Sequence, residues 1–391
     1  MPKLKNRPLK FASFTAPPSE IDLVLFLSRI SPFGPSVVLR KCRLPCDVQK
    51  LFRYNFSANV LQCLTMKRFV SILFQIVLIA GIFGFLFWSA AIATDDDGKN
   101  IFNILYEQPK RWHFLAAAFL VQLFGVAITF IRWRWLVRTL GLQCSYRDSF
   151  RLGFLGIMLN LAPLGVVGGD AVKAVLIAQR NPDYRSQAVA SVILDRFIGL
   201  LVMFIFGSIL IIYTGFYPLA KLNIVTQTFA DLVFIFTAVG ILGTAIVFLP
   251  FFAKGHVERL VEKIPLCGKL FSKLIQALLM YRNHKRCLFW SCLITILVHL
   301  SFGLSLYWIA VALFPSVPDG INHIMLHNVT NLTSMIPLAA GPYELVLEQL
   351  YQLYGKNVGM GLIVSLMFRL TTIFVAAVGM IYYYGSGFTV R

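Results

Sequence analysis

Asn160-Leu-Ala-Pro163-Leu-Gly165-Val-Val-Gly168-Gly169-Asp170 breaks one apolar run of this chain, and Asn331-Leu-Thr-Ser-Met-Ile-Pro337-Leu-Ala-Ala-Gly341-Pro342-Tyr343-Glu344 breaks another. Both follow one plan. A proline precedes a carboxylate by seven residues, glycine fills part of the interval, and an arginine stands inside the next apolar run: Arg196, 26 residues after Asp170, and Arg369, 25 after Glu344. Proline cannot continue helical hydrogen bonding, and glycine permits a tight turn. Backbone broken in this way is tolerated at membrane depth only where protein or a wet cavity covers it. Broken helices at matching places in two halves of a membrane protein point to a transport site, and ionisable groups at that depth are costly enough to mark function.

The 391-residue chain is 58% hydrophobic and 14% charged, which excludes an ordinary soluble domain and reads as a polytopic membrane protein. A helical span needs ~20 apolar residues; the runs 69–93, 114–131, 190–213, 232–252, 288–313 and 359–384 provide them. The net charge of +19 is no nucleic-acid signature, because the lysines and arginines fall between spans, where they set orientation. With Lys67 and Arg68 cytoplasmic, loop 94–113, which holds Asp95, Asp96 and Asp97, is external. Loop 132–151, with five arginines and one aspartate, is cytoplasmic, and so is 254–286, with eight Lys/Arg against two Glu. The connections after Tyr213 and Leu313 carry little positive charge and suit the outside. These sides agree only if 152–178 enters and leaves from the cytoplasm and 325–354 enters and leaves from outside. The expected fold is therefore all-α and integral to the membrane: about six transmembrane helices plus two re-entrant helical hairpins. They form two inverted repeats, 66–227 and 228–391, with both termini cytoplasmic. The alternative is a pair of kinked full spans.

Residues 1–65 carry ten Lys/Arg against three Asp/Glu, several prolines and no run of signal-peptide quality. They read as a disordered basic extension or as sequence upstream of a working start at Met66, dispensable for insertion and activity. Segment 256–282 is too polar to span, yet Val257, Leu260, Val261, Ile264, Phe271, Leu274, Ile275 and Leu278 recur at roughly helical spacing among lysines. It reads as an interfacial helix on the anionic cytoplasmic leaflet, broken near Pro265 and Gly268. The seven cysteines are scattered, and Cys42 and Cys46 lack a second pair, so neither a zinc site nor a disulfide framework is expected. HExxH, GxSxG, Walker and dinucleotide motifs are missing, so no cofactor, metal or ATP-driven chemistry is expected.

Each charged residue has two readings. Asp170 either caps the second hairpin arm or meets a ligand. Asn160 satisfies opened backbone or joins the site. Lys173, one turn after Asp170, shares its face or snorkels to the surface. Arg196, beside Asp195, is paired with a carboxylate, Asp170 being the obvious partner, or is exposed to an anion; a guanidinium is well shaped to grip phosphate. Glu344, with Glu348 one turn on, repeats this logic, and Arg369 supplies the countercharge. Pro163, Gly168 and Gly169 shape the first hairpin; Pro337, Gly341 and Pro342 shape the second. His299 falls mid-span, as a neutral histidine bonded to a neighbour. His323 and His327, near the outer face without a carboxylate beside them, are expected to face solvent rather than hold a metal.

The combination Asn160-x-x-Pro163…Gly168-Gly169-Asp170-x-x-Lys173, then Ala188-x-x-Ser191-x-x-x-Asp195-Arg196-x-x-Gly199, then Pro337…Gly341-Pro342-x-Glu344 resembles a known family. This is the membrane domain shared by lysylphosphatidylglycerol synthase/flippase proteins (MprF-type) and the stand-alone UPF0104 proteins (YbhN/AglD-like), and the resemblance covers roughly residues 66–385. The family often has Arg at the place of Lys173 and Glu at that of Asp195, which keeps the charge. Ala339, Ala340 and Pro342 replace part of its late glycine run. The resemblance implies translocation of an anionic or aminoacylated phospholipid, or of a polyprenyl-phosphate-linked lipid, between leaflets. Bifunctional members add a soluble aminoacyltransferase domain; none precedes Arg391, so this chain is expected not to make lysylphosphatidylglycerol.

The resulting expectation is an inner-membrane lipid flippase in which Asn160, Asp170, Lys173, Asp195, Arg196, Glu344 and Arg369 line a headgroup cavity. Its partner is a membrane lipid, not a nucleic acid. Two alternatives stand beside it. One is an integral-membrane enzyme acting on polyprenyl-phosphate-linked sugars with the same carboxylates as acid or base. The other is a non-catalytic partner of an envelope-synthesis enzyme.

Overall fold

The computed structural model describes residues 77–94, 98, 100–160, 165–248, 268–336, 338 and 340–385. The extension 1–65, Pro163, Pro337 and the first part of segment 256–282 lie outside them. The described residues are helical apart from short connections and one isolated β-bridge, Thr94–Asn100. In chain order the α-helices are α1 (Val77–Ile92), α2 (Ile101–Glu107), α3 (Trp112–Thr139), α4 (Tyr146–Asn160), α5 (Gly165–Arg180), α6 (Arg185–Tyr213) and α7 (Phe216–Ala220). They continue with α8 (Ile224–Phe248), α9 (Gly268–Tyr281), α10 (Lys285–Leu313), α11 (Gly320–Thr330), α12 (Pro342–Leu353) and α13 (Met360–Gly385). Five segments are long and apolar enough to cross a membrane: Trp112–Thr139, Pro182–Tyr213, Ile224–Ile246, Lys285–Leu313 and Met360–Gly385. Helix α1 is the described part of the run expected as the first span.

One order of elements occurs twice. A short helix, a long helix, a pair of short helices and a long helix make up α2–α6, and the same order of lengths is found in α9–α13. Helices α3 and α10, which hold the same place in the two series, pack along their whole length, and they run antiparallel. The Arg111 N–H donates to the Ala312 carbonyl at 3.2 Å and the Ser305 hydroxyl to the Ala118 carbonyl at 3.0 Å. Farther along, Arg132 Nη1 donates to Thr295 Oγ1 at 2.6 Å and Thr139 Oγ1 to Cys287 Sγ at 3.2 Å. Numbers rise in one helix as they fall in the other. Small residues permit the approach: a Cβ on Gly125 would lie 3.1 Å from that of Ser301, as in membrane helix interfaces generally. The halves also interlock crosswise, since α4 packs on α13 and α11 packs on α6.

The largest buried cluster joins α6, α10, α11, α12 and α13 through Leu210, Ile309, Leu326, Leu347 and Leu362. Large apolar side chains on α3, α6, α8 and α13, such as Phe124, Ile212, Leu242 and Ile381, stay exposed, as a lipid-facing belt requires. Two boundaries differ from expectation. The loop placed at 132–151 shrinks to 140–145, because α3 runs on to Thr139 and α4 starts at Tyr146. Helix can continue past Arg132 and Arg134 because their charges are met, Arg132 by Asp195 and Arg134 by the Tyr146 ring, 3.7 Å from its centroid. Helix α9 turns its apolar face to protein. Ala277, Leu278 and Tyr281 are buried with Leu136, Leu194 and Ile198, and the Tyr281 hydroxyl donates to the Leu136 carbonyl at 2.7 Å.

Candidate functional site

Helices α4 and α5 lie side by side, and both outer ends meet at one place. The Gln143 N–H donates to Asn181 Oδ1 at 2.9 Å, and Asn181 Nδ2 donates to the Ile177 carbonyl at 3.0 Å. Arg180 pairs with Asp148 beside this contact. Burial works to raise the Asp148 carboxyl, but hydrogen bonds from Arg180 and Ser145 prevail and hold it below its ordinary value, so the clamp stays charged near neutral pH. Between the arms a Cβ on Gly169 would fall 2.3 Å from both the Gly156 carbonyl oxygen and Asn160 Oδ1. The expected capping role of Asp170 and turn role of Gly168 and Gly169 are not observed. Helix α5 begins at Gly165, so the two glycines are helical and Asp170 lies in the second turn. What Gly169 provides is contact between the arms.

Arg196 on α6 grips Asp170 with two nitrogens: Nη2 donates to Oδ1 at 2.6 Å and Nε meets Oδ2. The Arg196 side chain is 43% accessible and Asp170 15%, so the pair is open on one side. Lys173 does not reach outward along the surface. Its ammonium stands 5.9 Å from the Phe130 ring centroid and 5.7 Å from that of Trp133, within cation–π range. Asp195, next in sequence to Arg196, points elsewhere. Arg132 Nε donates to its carboxylate at 2.9 Å, Nη2 to its backbone carbonyl at 3.2 Å and Nη1 to Thr295. This buried cluster ties α3, α6 and α10, and sequence reasoning missed Arg132 by assigning it to a loop. The signal was present: Ile131-Arg132-Trp133-Arg134-Trp135-Leu136-Val137 continues the preceding apolar run.

The second pair is built from α11, a 3-10 turn at Asn331–Met335, and α12. Its outer ends also meet: the Tyr354 hydroxyl donates to Asn322 Oδ1 at 3.0 Å and Lys356 Nζ to Ser316 Oγ at 3.0 Å. His323 and His327, expected in solvent, are buried. They bridge the arms, His323 Nε2 lying 2.7 Å from the Tyr351 hydroxyl and His327 Nδ1 3.2 Å from that of Tyr343. His299 Nε2 lies 3.2 Å from the Gly199 carbonyl. Gly341 adopts φ +106° just before Pro342 opens α12, a conformation that glycine tolerates and L side chains rarely adopt. Glu344 is fully buried. It accepts from the Gly341 N–H at 2.7 Å and from Arg369 Nε and Nη2 at 2.7 and 2.5 Å. It is therefore both the cap of α12 and the partner of Arg369. Glu348 serves a different end: its carboxylate accepts the Gly359 N–H at 2.6 Å and the Leu362 N–H at 2.9 Å, capping the start of α13.

Of the expected site residues, then, Asp170 meets Arg196 and Glu344 meets Arg369, one ion pair for each helical pair. Asn160 and Lys173 border the first pair, and Asp195 belongs to the buried cluster with Arg132. Among the described residues no three His, Cys, Asp or Glu side chains converge as metal ligands.

No solved structure matches this chain. A UPF0104 membrane protein of Methanocaldococcus jannaschii is 23% identical over 184 residues, which are 47% of this chain and 52% of that protein; the match thus spans about half the length of that relative. A family model described as the lysylphosphatidylglycerol synthase TM region matches residues 72–379, taking in both helical pairs and both ion pairs. The chain belongs to the family of the lysylphosphatidylglycerol synthase transmembrane region.

Proposed function

We propose that this protein carries a lipid with an anionic headgroup, either a phospholipid or a polyprenyl-phosphate-linked lipid, between the leaflets of the plasma membrane and leaves it chemically unchanged. The observation that supports the reading is that each of two short helical pairs holds, through a carboxylate, an arginine of the long helix that follows it. Depth supports it. At 1.5 Å per residue, Arg196 lies about 16 Å from the start of α6 and Arg369 about 14 Å from the start of α13. If each helix starts at a membrane surface, both arginines stand near the middle of a hydrocarbon core about 30 Å thick, where transporter sites tend to lie. Because α3 and α10 are antiparallel, the first helical pair opens at one end of the molecule and the second at the other. The arginine-rich ends of 132–151 and 254–286 put the first opening, and the termini, on the cytoplasmic side. In the empty site the carboxylates neutralise the arginines. A lipid phosphate takes the place of a carboxylate in the guanidinium fork, and the displaced carboxylate is free to meet an aminoacyl ammonium where the headgroup has one.

The test is leaflet exchange of labelled phospholipid and polyprenyl-phosphate lipid in sealed proteoliposomes. Arg196→Gln and Arg369→Gln are each expected to reduce transport by at least roughly tenfold, the worth of one lost charge-assisted contact. The pair Asp170→Asn with Arg196→Gln is expected to fold normally and stay inactive. Full transport by the Arg196→Gln/Arg369→Gln protein would refute the reading, as would conversion of the lipid in detergent, where no leaflets exist.

A further inference from the structure

A cavity of about 690 Å³ lies where the C-terminal end of α3 meets the N-terminal end of α10. Trp135, Arg138, Thr139, Arg286, Cys287 and Trp290 line it. We propose that it binds an anionic phospholipid of the adjoining leaflet, separately from the hairpin ion pairs, and so staples the two halves together at this end. The proposal does not depend on the transport reading.

Charge is the first argument. Among the described residues, two guanidiniums face one cavity whose lining holds no carboxylate, and neither Arg138 nor Arg286 has an ion-pair partner. Both side chains are exposed, and both attract an anion that enters the cavity. The helix end adds to the pull. The first N–H groups of α10 lack intrahelical acceptors, and no side chain caps them, so Arg286 and Cys287 present both backbone donors and the positive end of a helix. Neither arginine competes with the site already described, since Arg196 and Arg369 hold their own carboxylates.

The rest of the lining selects a lipid over a soluble anion. Two tryptophans flank the arginines; Trp290 is 52% and its neighbour Phe289 64% accessible, on the outer face of an apolar span. Indole rings beside basic side chains at the end of a span are the arrangement found at headgroup level, and basic pockets between transmembrane helices on the cytoplasmic side take anionic headgroups. The volume suits a headgroup with its glycerol, and the acyl chains then run along Phe289 and Leu293, both exposed. The cavity is divided between the halves: Arg138 and Trp135 come from the first, Arg286 and Trp290 from the second. The Thr139–Cys287 contact joins the two helices within it. A phosphodiester held by both arginines therefore bridges the α3–α10 seam.

The test is tryptophan quenching of the purified full-length protein in phosphatidylcholine nanodiscs doped with brominated phosphatidylglycerol or brominated phosphatidylcholine. Brominated phosphatidylglycerol is expected to quench at a roughly tenfold lower mole fraction, one contact's worth of preference. Trp135→Phe/Trp290→Phe should remove the part of the quenching that prefers phosphatidylglycerol, leaving that of the other exposed tryptophans, and Arg138→Gln/Arg286→Gln should remove the preference. Arg138→Lys/Arg286→Lys, which keeps the charge, should retain most of it and covers the case in which the glutamine variant fails to fold. Arg196→Gln should leave the preference intact. Equal quenching by the two lipids, or a preference that survives Arg138→Gln/Arg286→Gln, would overturn the site. Loss of the preference in Arg196→Gln would move it to the hairpins and do the same. Displacement of brominated phosphatidylglycerol by millimolar inorganic phosphate would show a site for soluble anions and overturn the lipid assignment.

Discussion

Arg132 and Arg196 are both arginines paired with aspartates inside apolar helices, and their surroundings give them different work. The Arg132 side chain is 6% accessible and makes three hydrogen bonds to two neighbouring helices. The Arg196 side chain is 43% accessible and, among the described residues, is hydrogen-bonded to Asp170 alone. Removing one partner of a buried pair leaves an uncompensated charge, worth about 3–5 kcal/mol; the Arg196 pair is open on one side, so water in the cavity can solvate the group left behind and lower that cost. Arg132→Leu is therefore expected to lower the midpoint of thermal unfolding in detergent much more than Arg196→Gln, and Arg132→Leu with Asp195→Leu should recover a large part of the loss. Equal destabilisation by Arg132→Leu and Arg196→Gln would show that accessibility does not separate their roles. The sequence allowed the Asp170–Arg196 partnership to be inferred, because the two opposite charges lie on neighbouring apolar stretches. It did not reveal that Asp195 turns away. Adjacent helical residues point about 100° apart, and the partner of Asp195 had been assigned to a loop because arginines were counted as loop markers.

The two helical pairs answer the same spacing rule with different local structure. In the second, Glu344 follows Pro342 closely enough to cap α12 and also hold Arg369. In the first, the glycines are themselves helical, and Asp170 sits too far inside α5 to cap it. A glycine run has two uses, a turn or a close approach of backbones, and one sequence without coordinates cannot tell them apart. At Gly169 the structure shows close approach, because an added Cβ would lie 2.3 Å from the Gly156 carbonyl oxygen, backbone that cannot swing aside. Gly169→Ala is thus expected to force α4 and α5 apart and destabilise the protein by about 1–3 kcal/mol, as overpacking does. Gly243, on α8, has nothing within 4 Å of its would-be Cβ. Gly243→Ala should be neutral or slightly stabilising, since glycine in a helix interior costs about 0.5–1 kcal/mol relative to alanine. Thermal unfolding of the two variants side by side checks both signs; a harmless Gly169→Ala would mean that the arms can separate freely.

At the scale of the whole molecule, the charge distribution between spans favours two opposite openings, because moving arginine across a bilayer is costly. The α3–α10 seam was not legible: Gly125, Ser301 and Ser305 are small residues in apolar runs and carry no signal until the helices are seen together. The seam gives the orientation argument its physical footing. Helix α3 has 28 residues, about 42 Å at 1.5 Å each, more than a hydrocarbon core of about 30 Å. Its antiparallel partner α10 therefore ends on the opposite side of the membrane from α3, and the connection that follows each helix leads into its own helical pair. The ends of α4–α5 meet, because Gln143 holds Asn181, and so do those of α11–α12, because Tyr354 holds Asn322; each pair is therefore expected to open to one side, the two on opposite sides. Single cysteines placed in a cysteine-free background at exposed Arg147 and Asp183, and at Ser316 and Asn357, report on the four ends. Cys144 is unsuitable as a native reporter, since burial, and then Asp148, pushes its thiol up to about 12 and leaves little thiolate to react. A membrane-impermeant maleimide is expected to label positions 316 and 357 in intact cells, and positions 147 and 183 only in inverted vesicles. Labelling of 147 and 183 from opposite sides would make the first pair a kinked span. Labelling of all four from one side would mean that the halves are not inverted, and transport through two opposed openings would fall with them.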